Sequence, residues 1–212
     1  TILKSIFKEE EKLLFFDVGA HEGMKSHLYS EIFTNAEIFS FEPFPESFKI
    51  LEKKNIKRVK AYNFGFSNKR STETFFCNVG SATNSLLELS DKASVTWKGN
   101  KWLKKTSLIN CHFHTIDEFC QENKIDLIDF MKIDVQGAEY LVLEGAKSIL
   151  KNKRIKYVQM EIIIGDTYKN QKPFSYYIKL FEDYGYKLKI LCDSTASVHN
   201  LIQTDLFFEL IF

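Results

Sequence analysis

The stretch FFDVGAHEG, Phe15 to Gly23, decides how the chain is read, because it ends an apolar run with an acid and two glycines before a helical pattern begins. Leu13 to Val18 reads as a buried strand, and MKSHLYSEIF, Met24 to Phe33, reads as the helix that Gly23 opens. A strand, a glycine turn and a helix start at one point make a ligand turn. Two ligands compete for it: a dinucleotide whose phosphates need a glycine cradle, or a molecule that carries positive charge.

The order of elements on either side defines the fold. A second strand at Glu37 to Phe41 ends in Glu42-Pro43, PESFKILEKKN from Pro45 follows as a surface helix with early acids and late lysines, and Val59 to Phe64 is a third strand. Strand, helix, strand, helix, strand implies a parallel sheet. Residues 71–108, with the strand TETFFCN, the polar loop GSATNS and both tryptophans, Trp97 and Trp102, are expected as an insertion over that sheet. From Leu108 the order returns: the strand INCHFHTI, a helix from Asp117, the buried strand Leu127 to Ile133, a helix over Ala138 to Leu150, the strand KYVQMEII and a helix from Phe174 that stops at Gly185. KLKILC and DLFFELI have no comparable helix between them, so they are expected to pair antiparallel. The expectation is a single α/β domain over residues 1–212, with a lead-in helix at 2–12. Its core is a doubly wound, mostly parallel seven-stranded sheet with a C-terminal antiparallel hairpin, a Rossmann-like arrangement.

Composition narrows the partners. The 212 residues suit one sizeable domain, and a hydrophobic fraction of 44% is enough for a core, while no apolar run is long enough to span a membrane. Lys and Arg number 29 against 28 Asp and Glu, so no overall field points to nucleic acid. Cys77, Cys111, Cys120 and Cys192 lie at spacings that suit neither a metal site nor a disulfide framework, so a reduced, cytoplasmic setting without a bound metal is expected. The chain shows no secretory pattern and opens at Thr1, as expected of a segment of something longer.

Ligands of open sheets sit at the carboxyl ends of the strands near the switch point, where Asp17 to Gly23 lies. A dinucleotide turn needs G-x-G-x-x-G, and counting from Gly19 the second and third places hold His21 and Met24. Asp17 and Glu22 also carry the wrong sign for a pyrophosphate. S-adenosylmethionine satisfies both tests, since its sulfonium and ammonium are cationic and it has no phosphate. Gly19, Ala20, His21 and Gly23 would let the backbone approach its methionine part, with Asp17 anchoring the turn or meeting the ammonium through water. Glu42, about 20 residues on, stands where an acid accepts from two ribose hydroxyls. Pro43, Phe44 and Phe66 follow the second and third strands, where they either sandwich the adenine or pack in the core.

FDVGAHEG, SFEPFPESF, SATNSL, HTIDEF and above all MKIDVQGAEYLVLEGA resemble the FkbM family of S-adenosylmethionine-dependent methyltransferases over residues 13–163. The resemblance implies a class I methyltransferase fold and methylation of a hydroxyl on a carbohydrate, glycolipid or secondary metabolite. The family pattern usually has Glu at the place of Gln136. RNA or protein methylation is the competing reading, disfavoured by the balanced charge. A non-catalytic binding domain is another, opposed by the intact Asp17, Gly19, Gly23 and Glu42.

Asp134 ends its strand at the cleft, where it is a catalytic base, a contact to the cofactor's ammonium or a helix N-cap. Glu161, costly to bury unpaired, is the second catalytic candidate or lies near the open strand end. Asn84 and Ser85 are expected to bind the acceptor, with Trp97 and Trp102 as further sugar contacts; His199 either approaches the acceptor or is an ordinary loop residue. His112 and His114 share a strand face and read as half-exposed rather than as a metal pair, His27 as helix surface, and Glu139 as pairing with the pocket or, by preference, with a surface lysine.

Overall fold

A computed structural model describes residues 2–196 and 201–211. Among the described residues, ten strands and seven α-helices follow in chain order: β1 Leu13–Val18, α1 Met24–Ile32, β2 Ala36–Phe41, α2 Pro45–Lys53, β3 Val59–Tyr62, β4 Gly65–Phe66, β5 Ser71–Asn78, α3 Ala93–Thr96 and β6 Lys105–His114. They continue with α4 Ile116–Glu122, β7 Ile128–Ile133, α5 Glu139–Glu144, α6 Lys147–Lys151, β8 Ile155–Ile163, α7 Phe174–Asp183, β9 Tyr186–Ala196 and β10 Leu201–Leu210. The main sheet has seven strands in the order β3-β2-β1-β7-β8-β10-β9. The first five run parallel, and β10 is antiparallel to both β8 and β9. The order reverses between β1 and β7, so the switch point lies where Val18 and Ile133 end side by side.

Burial explains which strands went where. Every residue of β7 is buried, as a central parallel strand requires, and Phe16, Met131, Ile133, Val158 and Met160 face the helices α4 to α7 on one side of the sheet. On the other side Phe15, Phe130 and Phe207 meet Tyr29 and Phe33 beside α1. β6 is exposed along most of its length, which disqualifies it from the sheet centre. It is the middle strand of a second, three-stranded sheet with β4 and β5, so INCHFHTI does not rejoin the main order. β3 accordingly stops at Tyr62, and Gly65–Phe66 crosses to the second sheet.

Two helix expectations need correction. The lead-in is one 3-10 turn, Ile2–Ser5, in which the Ser5 hydroxyl donates to the Ile2 carbonyl. Beyond it the run Glu9 to Glu11 is exposed, held by its carbonyls to Thr34 and Asn35 while Leu3 and Phe7 pack beneath. The span 138–150 is two helices, α5 and α6, parted at Gly145. A Cβ there would stand 2.1 Å from the Ser67 carbonyl oxygen, so the break follows from how closely the second sheet's connection approaches. No described helix is long and apolar enough to cross a membrane.

Candidate active site

A cavity of about 380 Å³ opens at the carboxyl ends of β1, β2 and β7, and the segment 81–86 between β5 and α3 lines part of it with Ser81, Ala82, Asn84 and Leu86. That size falls in the roughly 300–1,000 Å³ range of small-molecule sites. The turn after β1 forms one wall. Gly19 has φ +78°, and a Cβ there would fall 1.9 Å from the Asp134 carbonyl oxygen, so the β1 and β7 ends touch backbone to backbone. Gly19 and Ala20 both donate to the Phe41 carbonyl, which ties the turn to β2 as well. Gly23 (φ +80°) lies behind the wall against Leu51.

Asp17 is not on the cavity surface. It is fully buried, accepts from the Ser26 hydroxyl at 2.5 Å and lies 3.4 Å from Lys132 Nζ. It therefore anchors the turn. Lys132 also reaches Asp134 at 3.2 Å, and burial, which would drive a lone lysine neutral, is outweighed by these two carboxylates, so its pKa is raised. Sequence reasoning missed Lys132, although its place two residues before Asp134 puts both on one strand face. The three charges sum to one negative, less acid than the turn's sequence implies.

Glu42 is 6% exposed and lines the cavity with Pro43. Its Oε2 accepts from the His21 backbone N–H at 2.7 Å and its Oε1 from that of Phe44 at 2.8 Å, which orients the carboxyl while each oxygen keeps a second lone pair. Burial pushes its pKa up to about 7 against those two bonds. The apolar end of the cavity is made by Gly65, Phe66, Phe75 and Phe113. Phe44 is not there: it caps α2 and packs with Phe75 and Phe113 from behind, because the chain turns into the helix immediately after Pro43. His21, at φ +49°, puts Nε2 2.7 Å from the Ser81 hydroxyl, and burial lowers its pKa.

Asp134 lines the cavity with its side chain 29% exposed. Burial would raise its pKa, but Lys132 and the Gln136 amide prevail and hold it below the usual carboxylate range. It is not the cap of α5, whose N-cap is Ala138 without a side-chain bond. The nearby N–H groups of Val135 and Gly137 are taken instead by Glu139, 1% exposed, so Glu139 is an internal brace and not a surface partner of lysine. Glu161 does not line the cavity; the Gln136 amide connects it to Asp134. Burial, together with Asp134 and Asp205, pushes the Glu161 pKa up to about 9.

Of the expected acceptor contacts, Asn84 lines the cavity but spends its Oδ1 on the Asn78 N–H, and Ser85 is buried with its hydroxyl on the Gln136 carbonyl. Neither tryptophan lines the cavity: Trp97 donates to Thr167, and Trp102 is half exposed beneath Lys101. His199 lies outside the described residues. His27 and His112 are exposed, while His114 stacks on Phe64 at 4.1 Å. Strand pairing brings Cys192, Asp193 and Asp205 within 4.8 Å of one another, a grouping invisible in the spacing; none of them lines the cavity.

A glycine turn after β1, a buried strand-end acid after β2 and a strand-end Asp after β7 meet at the switch point of a class I methyltransferase fold. Residues 17–188 match the model of the Methyltransferase FkbM domain, and the chain belongs to this family of S-adenosylmethionine-dependent methyltransferases. A 2-O-methyltransferase, NoeI, of Sinorhizobium fredii is 23% identical over 158 residues, 71% of this chain and 64% of that protein, so the chain spans somewhat under two thirds of its relative. Among solved structures, an rRNA methylase from Streptococcus thermophilus superposes with TM-score 0.55 at 9% identity, covering 99% of this chain and 93% of that one. Fibrillarin of Aeropyrum pernix, in complex with natively bound S-adenosyl-L-methionine, superposes with TM-score 0.51 at 12% identity over 98% and 71%. These two likenesses are of fold. The residues present suit S-adenosylmethionine: Glu42 is a buried carboxyl without a cation that keeps lone pairs for hydroxyls, and the cradle at Gly19 has no room for a side chain.

Proposed function

We propose that the protein is an O-methyltransferase whose acceptor is a hydroxyl of a carbohydrate, glycolipid or secondary metabolite. The observation that carries this reading is Asp134, an ionised carboxylate at the edge of the cavity beside the β1 turn. Bound in that cavity, S-adenosylmethionine supplies a methyl group already activated by its sulfonium. Glu42 would accept from the ribose hydroxyls, the Gly19-Ala20 backbone would lie along the methionine part, and Phe66 would cover the adenine. Asp134 takes the proton of the acceptor hydroxyl, a contribution of about 10²- to 10⁴-fold. Alignment in a closed site supplies the rest. Similarity to a 2-O-methyltransferase supports oxygen as the acceptor atom.

The test is a screen with isotopically labelled donor across glycans, glycolipids, small hydroxylated metabolites, RNA and protein. Label in a methyl ether of one of the first three is the expected result; label in RNA or protein alone would replace the reading. Activity is expected to survive exhaustive chelation, because Asp134 is paired with Lys132 and the nearby Glu161 carboxyl is engaged by the Gln136 amide rather than turned to share a cation.

A further inference from the structure

Gln136 stands between two acids. It adopts φ +58°, and its Nε2 donates to Asp134 Oδ1 at 3.0 Å and to Glu161 Oε2 at 2.8 Å. Its Oε1 faces the Tyr168 hydroxyl at 3.2 Å, and that hydroxyl donates to the Thr83 carbonyl at 2.7 Å. The backbone carbonyl of Gln136 accepts from the Ser85 hydroxyl. The amide nitrogen is thus shared by the two acids, and the main chain is held by Ser85 of the segment 81–86, whose Thr83 also takes the Tyr168 proton. The other oxygen of Glu161 accepts from Gln203 at 3.2 Å.

We propose that Asp134 and Glu161 work as one acid–base pair holding a single proton, and that Gln136 is its positioning residue. The inference rests on the methyl-transfer reading for its chemistry and on geometry for the pair itself. One nitrogen within hydrogen-bond distance of two carboxyl groups brings them close enough that ionising both is opposed by repulsion. The Lys132 ammonium forms its direct ion pair with Asp134 and reaches Glu161 only as a weaker, more distant charge, so the charge settles on Asp134 and the proton on Glu161. The other ionisable groups facing Glu161 are Asp205, Glu139 and Tyr168, and none of them supplies positive charge.

In the transfer step an acceptor oxygen forms a bond to the methyl carbon, the carbon–sulfur bond breaks with its electron pair going to sulfur, and the hydroxyl proton passes to Asp134. The pair then carries two protons and returns one to water. Gln136 keeps Asp134 turned to the cavity throughout, and because Ser85 of the segment 81–86 holds the Gln136 main chain, the pair is aligned while that segment is in place.

Two measurements test this. In protein labelled with ¹³C at the glutamate side-chain carboxyls, one resonance should titrate near pH 9 and vanish in Glu161→Gln. In Gln136→Ala that resonance should move. Kinetically, Gln136→Ala should lower kcat about tenfold or more and shift the pH profile, with the donor Kd unchanged. Gln136→Asn, one methylene short, should not restore it. Titration of Glu161 below pH 6, or a wild-type kcat and pH profile in Gln136→Ala, would overturn the pair. If the titration is as expected but wild-type protein methylates no acceptor in the screen, the pair stands and the methyl-transfer reading falls; if transfer is found and Glu161 titrates low, the reverse holds.

Discussion

The two ends of the cavity are built in different ways. At the donor end, the Asp17–Gly23 turn and Glu42 come from β1 and β2, neighbours in both chain and sheet, and their bonds run largely to backbone: Gly19 and Ala20 to Phe41, Glu42 to His21 and Phe44. At the acceptor end, Asp134, Gln136, Glu161, Tyr168 and Ser85 are linked by side chains drawn from four separate segments. A backbone turn tolerates almost no added atom but holds its shape alone. A side-chain network accepts substitution without collapse, yet each member depends on others far along the chain. On the proposed function, the first end would serve a ligand of constant shape and the second would be where specificity is free to vary.

The largest expected effect breaks the donor end. Gly19→Ala demands a Cβ inside contact distance of the Asp134 carbonyl and a positive φ, so it should cost about 3 kcal/mol or more of stability and abolish donor binding. Denaturant unfolding and calorimetry with S-adenosylhomocysteine would measure both; near-native values would show that the β1 and β7 ends are not rigidly apposed. At the acceptor end, Asp134→Asn should lower turnover by about 10²-fold or more at saturating donor while donor affinity stays near wild type. A raised donor Kd with unchanged turnover would move Asp134 to the donor end.

Glu42 sharpens the comparison through pH. Its carboxyl and that of Glu139 have pKa values pushed up to about 7 by burial, above the 4.5 of a free glutamate. A raised acid stabilises the fold fully below the unfolded value and loses that contribution as pH rises through the folded one. The ligand-free protein should thus lose stability between pH 5 and 7, by on the order of 1 kcal/mol per pH unit for each group, with Glu161 extending the decline toward pH 9. Donor binding runs the other way. Hydroxyls donate to the ionised carboxylate, so affinity should rise through pH 7 and a proton should be released, both effects vanishing in Glu42→Gln. Calorimetry in buffers of differing ionisation heat reads that proton directly, and pH-independent binding by wild type would remove Glu42 from the ribose role.

The smallest effect lies outside both ends. Trp97→Phe removes one hydrogen bond to Thr167, between α3 and the loop after β8, and should cost about 0.5–1.5 kcal/mol with no change in donor Kd. A larger loss, or weakened donor binding, would mean that this contact also helps to shape the cavity.

The local pattern of the chain determined the parallel core, the hairpin at its end, the ligand turn and the strand-end acids Glu42 and Asp134. All of these depend on periodicity, glycine placement or the position of an acid relative to its own strand, properties that neighbouring residues carry. The tertiary structure alone decided that β6 belongs to a second sheet, that Gly145 divides α5 from α6, and that Glu139 turns inward. Each depends on what approaches from elsewhere: an exposed strand face, the Ser67 carbonyl, two N–H groups with no other acceptor. Lys132 shows the boundary most sharply. Its alternation with Asp134 is written in the strand, but that it can be buried at all rests on Asp17, 115 residues earlier and one strand over, because a lysine enters a core only where carboxylates meet it.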